Sequence, residues 1–315
     1  METINFLKTI YNFLLPQVLK RKIKVLLAPP ELKTLRKKIL KYFSELPLGK
    51  LTTDDFQAIN YLKRNVISVF PYPFQEKYKS KNIRVFKDQS LGLFYVLSNE
   101  KRLYFKRGWS EEKIKVNWNM LQIEQDDKSP HKYLTTDFEV KENDIVADVG
   151  CAEGNFALNI INEVGKIFLF EGDSEWIECL EATFSPWKHK IFIINKFVSD
   201  NDRENNLTLN LYFKDIPLSF LKIDIEGSER QLFRGAEEIL DKKSPLKIAV
   251  TTYHSQNDAS DFSHYLKSKG FEVSFSKGFM LYLFDKDLTA PFFRKGLIRA
   301  TRSNRFNKIS NHLIF

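Results

Sequence analysis

The residues best suited to chemistry stand together in Leu221-Lys222-Ile223-Asp224-Ile225-Glu226-Gly227-Ser228-Glu229. Extended backbone puts Lys222, Asp224 and Glu226 on one face and Leu221, Ile223 and Ile225 on the other. A strand inside a parallel sheet is usually apolar on both faces, so each of these charges is costly to desolvate unless it pairs or meets a ligand. The pattern predicts that the C-terminal end of this strand lines a site, with Asp224 and Glu226 beside the reacting centre. A structural Lys222–Asp224 ion pair is the competing reading. Either carboxylate can also hold a divalent cation through oxygen, although two acids do not specify one, so a metal, if there is one, belongs at Asp224 and Glu226.

His254 follows the next apolar run, in Thr251-Thr252-Tyr253-His254-Ser255. Open α/β sheets bind ligands outside the carboxyl ends of their strands, so His254 is expected to face the same crevice as Asp224 and to serve as a general base. A surface histidine ahead of a helix is the alternative. His131 and Tyr133, in the polar stretch Glu124 to Tyr133, are candidates for substrate contact.

A second constellation is Asp148-Val149-Gly150-Cys151-Ala152-Glu153-Gly154, between an apolar run and a helical pattern. Small residues in that setting let backbone N–H groups approach a ligand closely. Glu171 ends the next strand, 21 residues after Gly150, where a carboxylate can accept hydrogen bonds from both hydroxyls of an adenosine ribose. A dinucleotide loop favours G-x-G-x-x-G, whereas this one has Ala152 between its two glycines. Its leading Asp148 suits a sulfonium and an amino group and would repel a pyrophosphate. The expected cofactor is therefore S-adenosylmethionine rather than NAD, held by Asp148, Gly150, Ala152, Gly154, Glu171 and Asp200.

These residues need a scaffold. After residue 143 apolar strands alternate with helical segments: strands at 145–149, 167–170, 191–198, 220–225 and 246–253, helices at 155–164, 174–184, 228–240 and 258–269. That alternation predicts an α/β fold with parallel βαβ units in a doubly wound, Rossmann-like sheet. The runs 271–276 and 279–284, split by Lys277-Gly278, predict an antiparallel hairpin at its end. Upstream, the short aromatic runs between about 66 and 123 predict a small antiparallel sheet, and Ser129-Pro130 reads as a helix start. The expected division is a basic amphipathic helical segment (1–50), a small β-rich subdomain (51–140), the Rossmann-like domain (141–287) and a basic C-terminal tail (288–315).

Composition narrows the partners. With 43% hydrophobic and 28% charged residues the chain is that of an ordinary globular protein. No apolar run approaches the roughly 18 residues of a spanning helix, and Met1 to Leu15 lacks the layout of a secretory signal. Two cysteines, Cys151 and Cys179, fit a reducing compartment, so a cytoplasmic location is expected. The net charge of +9 is uneven: residues 1–50 carry +8, residues 288–315 carry +6, and the stretch between them carries −5. Anionic partners should meet the ends, and a peripheral contact with the inner face of a membrane suits them; the stripe Phe6, Leu7, Ile10, Tyr11, Leu14, Val18 either lies on that surface or packs on the body.

The two constellations together resemble the FkbM-type S-adenosylmethionine-dependent methyltransferases. The likeness runs through Asp148-Val149-Gly150 to Gly154, Phe170-Glu171, and Lys222-Ile223-Asp224-Ile225-Glu226-Gly227-Ser228-Glu229 with Leu232, Gly235 and Ala236. It covers about residues 144 to 275, and Glu124-Gln125 with Ser129-Pro130-His131-x-Tyr133 extends it upstream. A Thr-Leu-Asp-Asp typical of the family stands here as Thr208-Leu209-Asn210-Leu211. The resemblance implies a class I methyltransferase sheet and O-methylation, often of a sugar hydroxyl in a glycan, glycolipid or natural product, with His254 or Asp224 taking the hydroxyl proton. A nucleic-acid methyltransferase is the alternative suggested by net charge and aromatic content, but no Asp/Asn-Pro-Pro-aromatic motif follows the fourth strand and no Pro-Cys nucleophile is present, so no nucleic-acid partner is expected. Asn210 motivates a third reading, a cofactor-binding scaffold at a membrane without turnover.

Overall fold

The computed structural model describes residues 25–285 and 288–303. The apolar stripe from Phe6 to Val18, the basic run after it and the chain beyond Ser303 lie outside the described residues. Two helices come first, α1 (Pro30–Glu45) and α2 (Thr53–Arg64). A capping box fixes the start of α2: the Thr52 hydroxyl accepts the Asp55 N–H, and the Asp55 carboxylate accepts the Thr52 N–H at 2.8 Å. A three-stranded antiparallel sheet follows, β1 (Phe86–Lys87), β2 (Phe94–Ser98) and β3 (Lys101–Tyr104).

The expected run of strands then gives way to a helix, α3 (Glu111–Glu124), capped by the Ser110 hydroxyl. Its buried residues Ile114, Trp118 and Ile123 share the sequence with exposed Val116 and Met120, so hydrophobic periodicity is blurred and the cap at Ser110 is the clearer sign. No helix begins at Ser129-Pro130. The Ser129 hydroxyl instead accepts the His131 N–H at 3.2 Å and closes a turn.

The larger layer runs β4 (Ile145–Val149), α4 (Asn155–Ile160), β5 (Lys166–Phe170), α5 (Ile177–Phe184), β6 (Ile191–Ile194), β7 (Phe197–Val198), β8 (Asn206–Leu207), α6 (Leu209–Tyr212) and β9 (Phe220–Ile223). It continues through α7 (Glu229–Gly235), α8 (Glu237–Asp241), β10 (Leu246–Thr251), α9 (Asp258–Ser268), β11 (Glu272–Phe275) and β12 (Leu297–Arg302). Seven strands form one sheet in the order β11-β12-β10-β9-β4-β5-β6. The five from β10 to β6 are parallel, and β12 runs antiparallel to both neighbours. The sheet is buried on both faces, by Val146, Ile167 and Phe220 on one and Val149, Leu221 and Ile223 on the other. Because β4 lies between β5 and β9, the winding reverses beside it, and a crevice opens at the carboxyl ends of β4 and β9.

The antiparallel end exists, but its partner strand differs from the sequence expectation. β11 pairs with Leu297–Arg302, while residues 279–284 lie outside the sheet, where Met280 makes an isolated bridge with Arg294. Leu281 instead packs with Phe292 and Phe293 against Ile39 and Phe43 of α1. Residues 288–303 are therefore body rather than basic tail. Arg294, Arg299 and Arg302 are spent on backbone carbonyls, including those of His254 (2.9 Å), Tyr133 (3.0 Å) and Ser244 (3.0 Å). Among the described residues no helix is long and apolar enough to cross a membrane.

Candidate active site

The loop after β4 is shaped by close backbone approach. Gly150 has φ +71°, and a Cβ there would stand 2.0 Å from the Asp224 carbonyl oxygen, so only glycine lets this loop meet the end of β9. Ala152 also takes a positive φ, and its N–H donates to Glu171 Oε2 at 2.9 Å, while the Asp173 N–H donates to Glu171 Oε1 at 2.8 Å. The Glu171 carboxylate is thus fixed across the mouth of the first loop. Gly154, at φ +82°, packs against Phe184.

The charges of β9 are paired as the cost of desolvation demands, though with a different partner. Lys222 Nζ lies 3.0 Å from Asp148 Oδ1 and donates to the Gly150 carbonyl at 2.7 Å. Asp148 has no exposed surface and faces Lys222 from within the sheet. Asp224, one residue beyond β9, is the hub. Its Oδ2 accepts from the Tyr133 hydroxyl at 2.7 Å and lies 3.4 Å from His131 Nε2; its Oδ1 accepts from Thr251 at 3.2 Å and from Tyr253 at 3.3 Å. Burial pushes this carboxyl up, but the hydrogen bond and charge of His131, with Lys222 and His254 behind it, outweigh burial and hold it well below the usual carboxylate range.

His254 stands behind Asp224. Its Nδ1 is 3.0 Å from Glu229 Oε1, and its Nε2 is 3.6 Å from Glu226 Oε2 and 3.8 Å from Asp224 Oδ1. Glu226 is exposed, and Glu229 is buried with its Oε1 accepting the Ile225 and Gly227 N–H groups.

A cavity of about 750 Å³ joins the two constellations. His131, Tyr133, Gly150, Ala152, Glu171, Asp224 and Glu226 line it, whereas Asp148, Gly154, Asp200 and His254 are off its wall. Asp200 is turned to Arg234, at 2.8 Å, and the neighbouring Ser199 takes the wall position. Asn210 is remote too: its side-chain oxygen accepts the Ile239 N–H at 3.3 Å, so the departure from the family's Asp falls on a helix junction. A larger cavity of about 1050 Å³, lined by Asp54, Tyr61, Tyr72 and Arg299 among others, contains none of the expected site residues.

Among the wall residues that the sequence reading did not assign to the site are Glu124, Glu153, Phe197 and Tyr253. Phe197 had a detectable sign, an aromatic residue at a strand end, and its ring lies so close over Gly172 that a Cβ there would meet it at 2.2 Å. The two glutamates gave none, because their character comes from burial. It pushes the Glu153 carboxyl up to about 8; Glu124 rises to about 6, burial again leading, with the His131 charge opposing and Asp224 adding.

Residues 130–273 match the sequence profile of the methyltransferase FkbM domain. The matched stretch, a little under half of the chain, is similar to an FkbM methyltransferase domain. The match begins at Pro130, so it takes in His131 and Tyr133 along with both constellations, and it ends within β11. A methyltransferase FkbM from Methylobacillus flagellatus KT is similar in structure at 15% identity and a TM-score of 0.42, covering 62% of this chain and 55% of that one, so the chain spans about half the length of that protein. An rRNA methylase from Streptococcus thermophilus is similar at 14% identity and a TM-score of 0.36, covering 52% of this chain and 89% of that one. A precorrin-6y C5,15-methyltransferase from Geobacter metallireducens GS-15 is similar at 10% identity and a TM-score of 0.35, covering 52% and 81%. No curated protein matches the chain.

Proposed function

We propose that the FkbM domain transfers a methyl group from S-adenosylmethionine to a hydroxyl of a saccharide, glycolipid or related metabolite. The observation that carries this reading is a single cavity whose wall holds both the Glu171–Ala152 clamp and the ionised Asp224. The residues fit the cofactor: Gly150 keeps the loop open where a Cβ would fill it, Glu171 accepts from ribose hydroxyls, and Phe197 offers a ring face to the purine. When bound, S-adenosylmethionine supplies a sulfonium methyl that an oxygen nucleophile can take directly. Asp224 accepts the acceptor's O–H and takes its proton as the new C–O bond forms, the cofactor leaving as a neutral thioether. Tyr133, Thr251 and Tyr253 hold the carboxylate in place for that task. Aligning the reactants in this way supplies about 7 to 11 kcal/mol of barrier reduction.

The wall supports a neutral, hydroxyl-rich acceptor. Glu124, Glu171, Asp173, Asp224 and Glu226 line it, and one of its two lysines, Lys222, is committed to Asp148. Such a surface repels a phosphodiester chain and offers many acceptors to sugar hydroxyls. Incubation with methyl-labelled cofactor and a panel of saccharides, glycolipids and total RNA tests the reading. Label is expected as an alkali-stable methyl ether on a hydroxyl acceptor; label confined to RNA, or no label in any acceptor, overturns it.

A further inference from the structure

The cluster behind Asp224 has the features of a metal centre. His254 Nδ1 sits 3.0 Å from Glu229 Oε1, and that oxygen is tied to two backbone N–H groups, so Glu229 cannot swing away. A carboxylate beside Nδ1 favours the tautomer with its proton there, which turns the lone pair of Nε2 to the other side of the ring. Both ring nitrogens are buried, and neither makes a well-aligned hydrogen bond, an unusual state for an imidazole in a polar cluster. Nε2 is aimed between two carboxylates, 3.8 Å from Asp224 Oδ1 and 3.6 Å from Glu226 Oε2. Nitrogen and oxygen ligands about 2.0 to 2.2 Å from one cation stand roughly 3 to 4 Å apart, which is the spacing of Nε2 from each of these two oxygens.

We propose that His254 Nε2, Asp224 Oδ1 and Glu226 Oε2 hold a divalent transition-metal cation, with Glu229 as the outer carboxylate that orients the imidazole. A mixed nitrogen and oxygen set of this kind suits Mn²⁺, Co²⁺ or Zn²⁺ better than Mg²⁺ or Ca²⁺. Glu226 has room to adjust, since its side chain is 82% exposed and is held by the Tyr282 hydroxyl. At Asp224 Oδ1 a cation would take the place of the Tyr253 hydroxyl, whose hydrogen bond of 3.3 Å is the longer of the two made there. Since Asp224 and Glu226 also line the cavity, the cation has a coordination position open toward the acceptor. Its role there rests on the methyl-transfer reading: a hydroxyl bound to the cation is more acidic and passes its proton to Asp224 more readily.

Calorimetry and electron paramagnetic resonance of the chelator-treated full chain titrated with Mn²⁺ alone test the site, with S-adenosylhomocysteine binding and a thermal melt measured on the same samples. One Mn²⁺ per chain is expected. Affinity should fall at least tenfold in Glu226→Ala, a surface change that leaves folding intact. It should fall tenfold to hundredfold in Glu229→Gln and vanish in His254→Ala. No stoichiometric uptake of Mn²⁺, Co²⁺ or Zn²⁺ by the wild type, or unchanged affinity in Glu226→Ala and His254→Ala, overturns the proposal. S-adenosylhomocysteine binding that persists in that case confines the failure to the metal; its loss would instead strike the methyltransferase reading.

Discussion

Asp224 shows how a carboxylate becomes a tool through its neighbours. Four donors converge on it, from Tyr133, His131, Thr251 and Tyr253, and they keep it ionised in a place where burial alone would protonate it. Asp224→Asn preserves the shape and removes the proton acceptor. Methyl transfer should then slow by about 10² to 10⁴, with S-adenosylhomocysteine affinity nearly unchanged, in paired rate and calorimetry measurements. Phe197 acts on the other ligand: Phe197→Ala should weaken S-adenosylhomocysteine by about 1 to 3 kcal/mol, the worth of one ring stacked on a base, with little change in the saturated rate. Glu153 is the inverse of Asp224. Burial leads, the charges of Glu124 and Asp148 add to it, and Lys222 opposes, so the folded chain keeps this carboxyl protonated up to about 8 against an ordinary value of 4.5. Between those values the folded state binds more protons than the unfolded one, so stability falls as pH rises through that window at about 1.4 kcal/mol per unit. Glu153→Gln should remove that slope: its melting temperature should match wild type near pH 4.5 and exceed it above pH 8.

At the scale of elements, the junction of the first loop with β9 decides whether a site exists. Gly150→Ala would drive a Cβ to 2.0 Å from the Asp224 carbonyl at a φ that side chains avoid. It should cost at least about 2 kcal/mol in denaturant unfolding and abolish S-adenosylhomocysteine binding, because relief requires pulling the loop and Asp224 apart. This junction was legible in the sequence, since glycine, alternating charge and strand ends are local signs. So were the five parallel strands, whose apolar runs are short and punctuated. Two errors have physical causes. The alternation Phe279, Leu281, Leu283 imitates a strand, yet these side chains are claimed by α1 and Phe293 rather than by a neighbouring strand. The real partner, Leu297–Arg302, looks polar because two of its six residues are arginines, and their role as carbonyl donors depends on residues far away in sequence. His254 could be placed near Asp224 from strand order, but not behind it. That depends on Glu229, which local pattern shows only as another acid at a helix start.

At the scale of the whole molecule, the pieces outside the FkbM match complete its site. Helix α3 brings Leu121 and Glu124 to the cavity wall, and Arg294 donates to the carbonyls of Tyr253 (2.8 Å) and His254 (2.9 Å) from the segment that also packs on α1. Strand β12 matters most. It lies between β10 and β11, pairs along Leu246 to Thr251 on one side, and buries Leu297, Ile298 and Ala300 completely. Charge and motif alone would end the catalytic unit near residue 287, and a chain stopped there tests which description is right. Without β12 the edge of β10 opens, β11 has no partner, and the carbonyls of Tyr133, Tyr253, His254 and Ser244 lose their arginine donors together. Unpaired edges and orphaned buried carbonyls are each costly, and their sum exceeds the marginal stability of a domain. The truncated chain should therefore bind a hydrophobic dye, show no cooperative melt and bind no S-adenosylhomocysteine. A cooperative melt with cofactor affinity intact would mean that residues 288–303 are the appendage their composition suggests, and that the crevice is closed by the parallel strands alone.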